Sequence, residues 1–267
     1  MLDRAAARDK VMVMTHSLST SLPVVASVPA ATTLNIGMVL FDGLTQLDLT
    51  GPYEVLARMP HTRVHLVAES LLPVRSEWGL CVLPGATFAD APPLDVLCVP
   101  GGWGVNASLE NEPLLAFLAA QGAQARYVTS VCSGSLLLGA AGLLQGYRAT
   151  THWMSRELLP LFGAEAVSER VVRDRNRITG AGVTAGIDFG LVLAEELFGA
   201  ETAQAIQLAV EYTPAPPFNS GSPDSASESV RAGVLRASSR ALAERREIVE
   251  RAAARLNRAE QRQVESQ

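Results

Sequence analysis

Lysine is almost absent from this chain: Lys10 is the single lysine among 267 residues, and it lies in a stretch without periodicity. Chemistry that needs a catalytic lysine, such as Schiff-base formation or phosphate binding by a P-loop, therefore has no residue to use. The other basic residues are arginines, and the formal net charge is −5. Because nucleic-acid-binding domains usually carry a basic face, we expect no nucleic acid as a partner.

Cysteines and long apolar runs are also scarce. The three cysteines, Cys81, Cys98 and Cys132, show no CxxC spacing, so we expect neither a disulfide framework nor a cysteine-based zinc cluster. Reduced thiols favour a cytoplasmic location. Cys81 and Cys98 lie inside apolar, strand-like segments and are expected to be buried structural residues. No apolar run reaches the roughly 18 residues of a membrane span, so no membrane is expected as a partner.

The chain divides into four segments by composition and periodicity. Residues 1–33 are rich in Ser, Thr, Ala and Pro and are interpreted as a disordered extension. Residues 34–212 alternate short apolar runs with helical patterns, which predicts an α/β domain whose mainly parallel sheet has helices on both faces. Residues 213–227, rich in Pro, Ser and Gly, are interpreted as a linker. Residues 228–267 hold a long helix that packs either on its own domain or at a dimer interface.

The sharpest local feature is the segment SVCSGS at 130–135. A strand-like run ends at Val131 and a helix-competent run begins at Ser133, so Cys132 lies at a tight strand-to-helix turn where Gly134 allows close backbone approach. This is the nucleophile-elbow arrangement with sulfur in place of a serine oxygen. Backbone N–H groups and a helix N-terminus favour a thiolate, and Cys132 is therefore the candidate nucleophile.

Three further features follow other predicted strands. Gly101 and Gly102, in VPGG after a buried strand, are candidates to offer a backbone N–H to an anionic intermediate, with the N–H of Ser133 as the second donor. Asp48, after the first strand, is either a helix N-cap or, if it lies beside Cys132, a general acid/base. His152 either activates the thiol or is a packed core residue, and both interpretations stay open.

These features, in this order, resemble the ThiJ/PfpI superfamily, which has the class I glutamine amidotransferase-like fold. The matching segments are LFDGLTQLDLTGPYEVL, DVLCVPGGWGV, YVTSVCSGSLLLGAAGLLQG and ATTHW. Within the superfamily the chain looks most like the bacterial isonitrile hydratases, through RVVRD, TAGIDF, EYTPAPPFNSGSPD and the Arg-rich final helix, so that the resemblance covers roughly residues 34–256.

The resemblance implies a flavodoxin-like fold, a homodimer, and hydration of an isonitrile to an N-substituted formamide without a metal or organic cofactor. It also implies that Cys132 is the nucleophile and Asp48 the essential acid. The family has a threonine after the cysteine, where this chain has Ser133. Trp103, next to the glycine turn, is a candidate for lining an apolar substrate pocket.

Two alternatives remain at the level of the sequence. One is another cysteine-dependent enzyme of the same fold, such as a hydrolase, glyoxalase or deglycase. The other is a ligand-sensing regulator, although only about 55 residues follow Tyr212, too few for the DNA-binding domain that such regulators carry. Glutaminases of this superfamily pair their cysteine with a histidine and a glutamate two residues later. Met154 stands at that position here, so amide hydrolysis is not expected.

Overall fold

The structure is a computed structural model that describes residues 33–265. The disordered extension predicted for residues 1–33 therefore lies, apart from Thr33, outside the described residues. The described residues form one compact unit. None of the helices among them is both long and apolar enough to cross a membrane.

A seven-stranded, mostly parallel sheet forms the centre of this unit, with strand order β10-β11-β7-β6-β1-β2-β5. Every pairing in it is parallel except that of β10 with β11. The strands are β1 Leu34–Val39, β2 Thr62–Ala68, β3 Val74–Arg75, β4 Cys81–Val82, β5 Ala86–Thr87, β6 Val96–Val99, β7 Tyr127–Val131, β8 Arg148–Ala149, β9 Glu165–Ala166, β10 Val171–Asp174 and β11 Arg177–Gly180. The inner order β2-β1-β6-β7-β11 is the flavodoxin-like 2-1-3-4-5 order, as predicted.

Helices cover both faces of the sheet. Their bounds are α1 Gln46–Leu56, α2 Val105–Ser108, α3 Glu112–Gln124, α4 Gly134–Ala140, α5 Ala185–Phe198, α6 Ala200–Ala209 and α7 Glu228–Glu265, with a 3₁₀ helix over Trp153–Phe162. Helices α1, α5 and α6 pack together on one face, whereas α2, α3, α4, the 3₁₀ helix and α7 pack on the other. The inner strands are buried between these layers, and all four residues of β6 are inaccessible to solvent. This burial explains why they read as continuous apolar runs.

Helix α7 is packed on the domain along its C-terminal half and exposes apolar side chains along its N-terminal half. Its buried residues recur at helical spacing in the C-terminal half: Arg245, Ile248, Val249, Ala252 and Ala253. This half packs against α2, α4 and the 3₁₀ helix of its own domain. The apolar side chains in the N-terminal half are exposed instead: Val230, Val234 and Leu235. The helix predicted after residue 227 is present, while the predicted boundaries of domain and linker stay a prediction.

The structure corrects two expectations about local environment. Cys81 is exposed, because β4 belongs to a two-stranded β3–β4 hairpin outside the main sheet rather than to the core. Asp48 is not a helix N-cap: Thr45 occupies that position, and Asp48 lies in the first turn of α1. The helix starts before the aspartate, so the carboxylate is free to point away from the backbone amides of its own helix.

Candidate active site

The sheet order brings three chain segments together at one edge. Strands β1, β6 and β7 are neighbours and run parallel, so the turns that follow them emerge side by side. Asp48 follows β1, Gly101 and Gly102 follow β6, and Cys132 follows β7. The residues predicted from three separate motifs therefore lie in one place.

Cys132 adopts a left-handed backbone conformation, with φ of 55°. A residue with a Cβ pays for this conformation, and such strain persists only where surrounding contacts enforce it. Three hydrogen bonds do so: the Cys132 N–H donates to the Gly180 carbonyl at 3.0 Å, and its carbonyl accepts from Thr151 Oγ1 at 2.8 Å and Ser135 Oγ at 3.3 Å. The turn is as tight as the sequence predicted, and 6% of the cysteine remains exposed.

Asp48 is fully buried beside this turn. Its Oδ2 accepts a hydrogen bond of 2.9 Å from the Gly101 N–H, whereas its buried Oδ1 accepts no hydrogen bond of regular geometry from the residues described. Burial raises the pKa of this carboxyl from 3.8 to about 7, and the Gly101 N–H and the Cys132 thiol, which favour the carboxylate, offset the effect only in part. The negative charge of Glu77 adds to the increase. Asp48 is thus able to hold a proton at neutral pH.

The Cys132 thiol is also a weakened acid in the resting protein. Burial raises its pKa well above 9, and the Asp48 carboxylate raises it further, while the Ser133 N–H and the positive charge of Arg245 lower it. Two acidic groups that share a buried site do not ionise together easily, so their protons belong to the pair rather than to either residue. The pair can therefore supply both a proton, through Asp48, and a soft nucleophile, the sulfur of Cys132.

The glycine turn has tight constraints on both of its residues. A Cβ on Gly101 would lie 2.4 Å from the Ser133 nitrogen and 2.9 Å from Asp48 Oδ2, so the space between the nucleophile's turn and the acid admits only glycine. Gly102 has φ of 129° and bonds to Ser133 in both directions: its N–H donates to Ser133 Oγ at 3.0 Å, and its carbonyl accepts from the same hydroxyl at 3.2 Å.

These bonds change the expectation for the two glycine amides. The Gly101 N–H is engaged by Asp48 and the Gly102 N–H by Ser133, so neither is free to hold an anionic intermediate in this conformation. Of the predicted donors, the Ser133 N–H is the one that faces the sulfur. The hydroxyl of Ser133, predicted on grounds of resemblance alone, orders the glycine turn.

His152 and Trp103 flank the site without joining the acid pair. The Nδ1 atom of His152 accepts from the Met154 N–H at 3.4 Å and caps the 3₁₀ helix, and among residues 33–265 no hydrogen bond links it to Cys132. Burial and the charge of Arg245 lower its pKa to about 4, so the ring is neutral at neutral pH. Trp103 is partly buried, and its ring lies 4.8 Å from the guanidinium carbon of Arg245. A substrate-lining role for Trp103 stays a prediction.

Three residues near the site were not identified from the sequence. Glu77, in the turn of the β3–β4 hairpin, accepts from Thr45 Oγ1 at 2.9 Å and from the Trp103 N–H at 3.3 Å. Thr151 holds the Cys132 carbonyl, and Arg245 reaches in from α7. Of the three, only Arg245 could have been identified from the sequence, because it falls on the apolar stripe of an otherwise charged helix and is therefore expected to be buried.

Two other features bear on chemistry. Within the described part of the chain, no group of three or more His, Cys, Asp or Glu residues is placed to hold a metal ion. A cavity of about 430 Å³ opens near the ends of β1 and β2, among residues that include Phe41, Ala68, Phe88 and Leu114. Neither Cys132 nor Asp48 lines it, so this cavity is separate from the cysteine–aspartate pair.

Comparison with known proteins identifies several relatives of this chain. The profile of the DJ-1/PfpI family matches residues 35–196. The isonitrile hydratase of Pseudomonas putida is 59% identical over 224 residues, which cover 84% of this chain and 98% of the relative. A ThiJ/PfpI family protein from Pseudomonas syringae superimposes with a TM-score of 0.82 at 44% identity, over 87% of this chain and 98% of that one. The HTH-type transcriptional regulator GbdR of Pseudomonas aeruginosa is 35% identical over 181 residues, 64% of this chain and 49% of the regulator.

Proposed function

This chain belongs to the DJ-1/PfpI family, and we propose that it is an isonitrile hydratase, a lyase that converts an isonitrile and water to an N-substituted formamide. The similarity to the Pseudomonas putida hydratase, which extends over most of both chains, supports this reaction. The observation that carries the proposal is the buried Asp48 carboxyl, with a pKa of about 7, beside a cysteine in a strained turn. An isonitrile carbon must gain both a proton and a nucleophile, and this pair supplies one of each.

The first half of the reaction uses both members of the pair. The thiol proton passes to Asp48, which leaves a thiolate on Cys132 and a neutral carboxyl. The carboxyl then protonates the terminal carbon of the isonitrile while the sulfur bonds to the same carbon. The product is a thioimidate, with the carbon joined to hydrogen, sulfur and the double-bonded nitrogen, and Asp48 returns to its carboxylate form. Covalent catalysis here divides one difficult addition of water into two easier steps.

The second half consumes water and releases the enzyme. Asp48, now a base, accepts a proton from water as the water oxygen attacks the thioimidate carbon, and it passes that proton on to the nitrogen, which returns Asp48 to its carboxylate form. The carbon–sulfur bond then breaks, the formamide leaves, and the remaining proton of the water restores the Cys132 thiol. The Ser133 N–H stabilises the departing sulfur, and the Ser133 hydroxyl keeps the Gly102 turn in register with it.

The principal rival is another cysteine-dependent enzyme of this fold. Such an enzyme acting on amides would need a histidine close to the sulfur, whereas His152 caps a helix and is neutral.

The proposed reaction is tested directly with an isocyanide substrate. Purified protein is to be incubated with cyclohexyl isocyanide, and N-cyclohexylformamide measured by chromatography, for the wild type and for Asp48→Asn. We expect turnover by the wild type and a loss of at least about 100-fold in the variant, because general acid–base steps contribute 10²–10⁴-fold.

A parallel assay with methylglyoxal separates the alternatives. Turnover of the glyoxal without turnover of the isocyanide would assign the chain to a glyoxalase or deglycase activity. A failure to turn over either compound, together with saturable binding of a small molecule, would favour the sensing module suggested by the similarity to the regulator.

We also propose that the protein is a homodimer and works in the cytoplasm. The β3–β4 hairpin and its flanks expose a group of large apolar side chains: Leu71, Leu72, Trp78, Leu80 and Leu83. A concentration of exposed large apolar side chains is typical of protein interfaces. Glu77 lies within this segment, so a partner seated on it would rest next to the site. The free thiols of Cys81, Cys98 and Cys132 fit a reducing compartment.

A further inference from the structure

The C-terminal helix α7 contributes a buried cation to the site. The side chain of Arg245 is 4% exposed and makes three hydrogen bonds: Nη2 donates to the Gly102 carbonyl at 2.9 Å, Nη1 to Ser155 Oγ at 3.0 Å and Nε to Asn106 Oδ1 at 2.8 Å. Its guanidinium also lies over the Trp103 ring. All of these partners are neutral.

The neighbouring arginines of α7 behave differently. Arg246 pairs with Glu157, and Arg251 pairs with Glu110 at 2.9 Å, both on the surface. Arg245 takes part in none of the salt bridges that residues 33–265 form. A buried cation with only neutral hydrogen-bond partners costs free energy, and a negative charge that forms near it during the reaction would offset that cost.

The groups that face Arg245 identify that charge. The Cys132 sulfur, when it is ionised, and Glu77 are the negative groups whose fields act on Arg245, and His152, which lies near it, is neutral. Asp48 completes the titratable groups around the thiol. Of the two negative groups that act on Arg245, Cys132 is the one whose charge forms and disappears in each catalytic cycle. Hydrogen bonds also connect Arg245 to the turn of Cys132. Arg245 donates to the Gly102 carbonyl, and Gly102 is hydrogen-bonded to Ser133, the residue that follows the cysteine.

We propose that Arg245 is a positioning residue of the hydratase reaction: its guanidinium holds the Gly102 turn against Ser133, and its charge favours the thiolate form of Cys132. The expected effect on turnover rests on the proposed function. The expected effect on the ionisation of Cys132 does not depend on which substrate the enzyme uses. Helix α7, which lies outside the family profile that ends at residue 196, is thereby an integral part of the active site.

The test measures the thiol and the reaction separately. Iodoacetamide alkylation is followed across a range of pH by mass spectrometry of tryptic peptide 127–148, which contains Cys132 and no other cysteine. Turnover of cyclohexyl isocyanide gives kcat and KM. The variants are Arg245→Gln and Arg245→Lys, and the matched control is Arg251→Gln, which removes a surface arginine of the same helix.

For Arg245→Gln we expect the alkylation midpoint to rise by about one pH unit, equivalent to a tenfold smaller thiolate fraction, and kcat to fall by about tenfold or more with little change in KM. Arg245→Lys keeps the charge but not the planar fork, so its midpoint is to stay near the wild-type value while its kcat falls. The control is to match the wild type in both measurements.

Wild-type midpoint and kcat in Arg245→Gln would overturn the inference, as would equal midpoints for the Gln and Lys variants with equal losses of kcat, which would indicate a merely structural role. If thermal unfolding shows that Arg245→Gln does not fold, Arg245→Lys decides, and a wild-type kcat there contradicts the positioning role. A shifted midpoint in a protein that does not turn over the isocyanide would refute the proposed function and leave the electrostatic role standing.

Discussion

Replacing Asp48 by asparagine should stabilise the protein while it slows the reaction by at least about 100-fold. A pKa raised from 3.8 to about 7 is a shift of about 3 units, and at 1.36 kcal/mol per unit the ionised carboxylate costs the folded state about 4 kcal/mol. Asparagine has nearly the same shape and retains an oxygen that accepts the Gly101 N–H. It carries no charge, so this cost disappears.

The sign depends on pH in a defined way. Below pH 3.8 the carboxyl is protonated in both the folded and unfolded chains, and the variant gains nothing. Between pH 3.8 and about 7 the unfolded chain is ionised and the folded chain is not, so wild-type stability falls as pH rises. Above pH 7 the full cost is present. The advantage of Asp48→Asn is therefore expected to be about 1 kcal/mol near pH 4.5 and to approach about 4 kcal/mol at pH 8.

Urea unfolding of both proteins at these two pH values measures the difference directly. Asp174→Asn is the control with opposite sign, because Arg175 and the Arg148 N–H lower the pKa of Asp174 and loss of that carboxylate is not expected to stabilise the chain. Equal stability of wild type and Asp48→Asn at pH 8, or a gain independent of pH, would refute the assignment of Asp48 as a buried acid held against its own ionisation.

Three further predictions follow from the geometry. Gly101→Ala places a Cβ 2.4 Å from the Ser133 nitrogen, and the resulting displacement is expected to cost about 100-fold in kcat/KM, whereas Gly182→Ala, whose Cβ meets nothing within 4 Å, should retain wild-type activity; equal activities would contradict the close packing. Ser133→Ala leaves the buried Gly102 N–H unpaired and should lower the free energy of unfolding by about 1–3 kcal/mol, with recovery in Ser133→Thr; an unchanged urea midpoint in the alanine variant would argue against the hydroxyl's role. Trp78→Ser should shift the protein from dimer to monomer in light scattering, and a monomeric wild type would rule out the proposed interface.

Much of the site was predictable because its signals are local. The apolar run that ends at Val131, followed by a small-residue helix, is sufficient to place Cys132 on a strand-to-helix turn. The same logic places Asp48 after β1 and Gly101 after β6, and the rules for parallel sheets then bring the three turns to one edge. The order of the inner strands follows from the alternation of strand and helix patterns together with the resemblance.

The remaining features depend on contacts between segments far apart in sequence. Cys81 reads as a core strand residue, yet the short strand that contains it pairs with β3 in an exposed hairpin. The same hairpin places Glu77 next to the site, and no pattern in the sequence predicts this position. The glycine amides were expected to be free, but the side chains of Asp48 and Ser133 accept their hydrogen bonds, and such pairing is set by side-chain geometry rather than by residue order.

The account depends most directly on the sulfur of Cys132, and the decisive measurement is the initial rate of cyclohexyl isocyanide hydration by Cys132→Ala. Cys81→Ala, which removes the exposed thiol, is the matched control. Loss of turnover to the uncatalysed background in Cys132→Ala, with wild-type turnover in Cys81→Ala, is the predicted result. A Cys132→Ala protein that folds normally and hydrates the isocyanide at more than about one-tenth of the wild-type rate would contradict covalent catalysis at this turn.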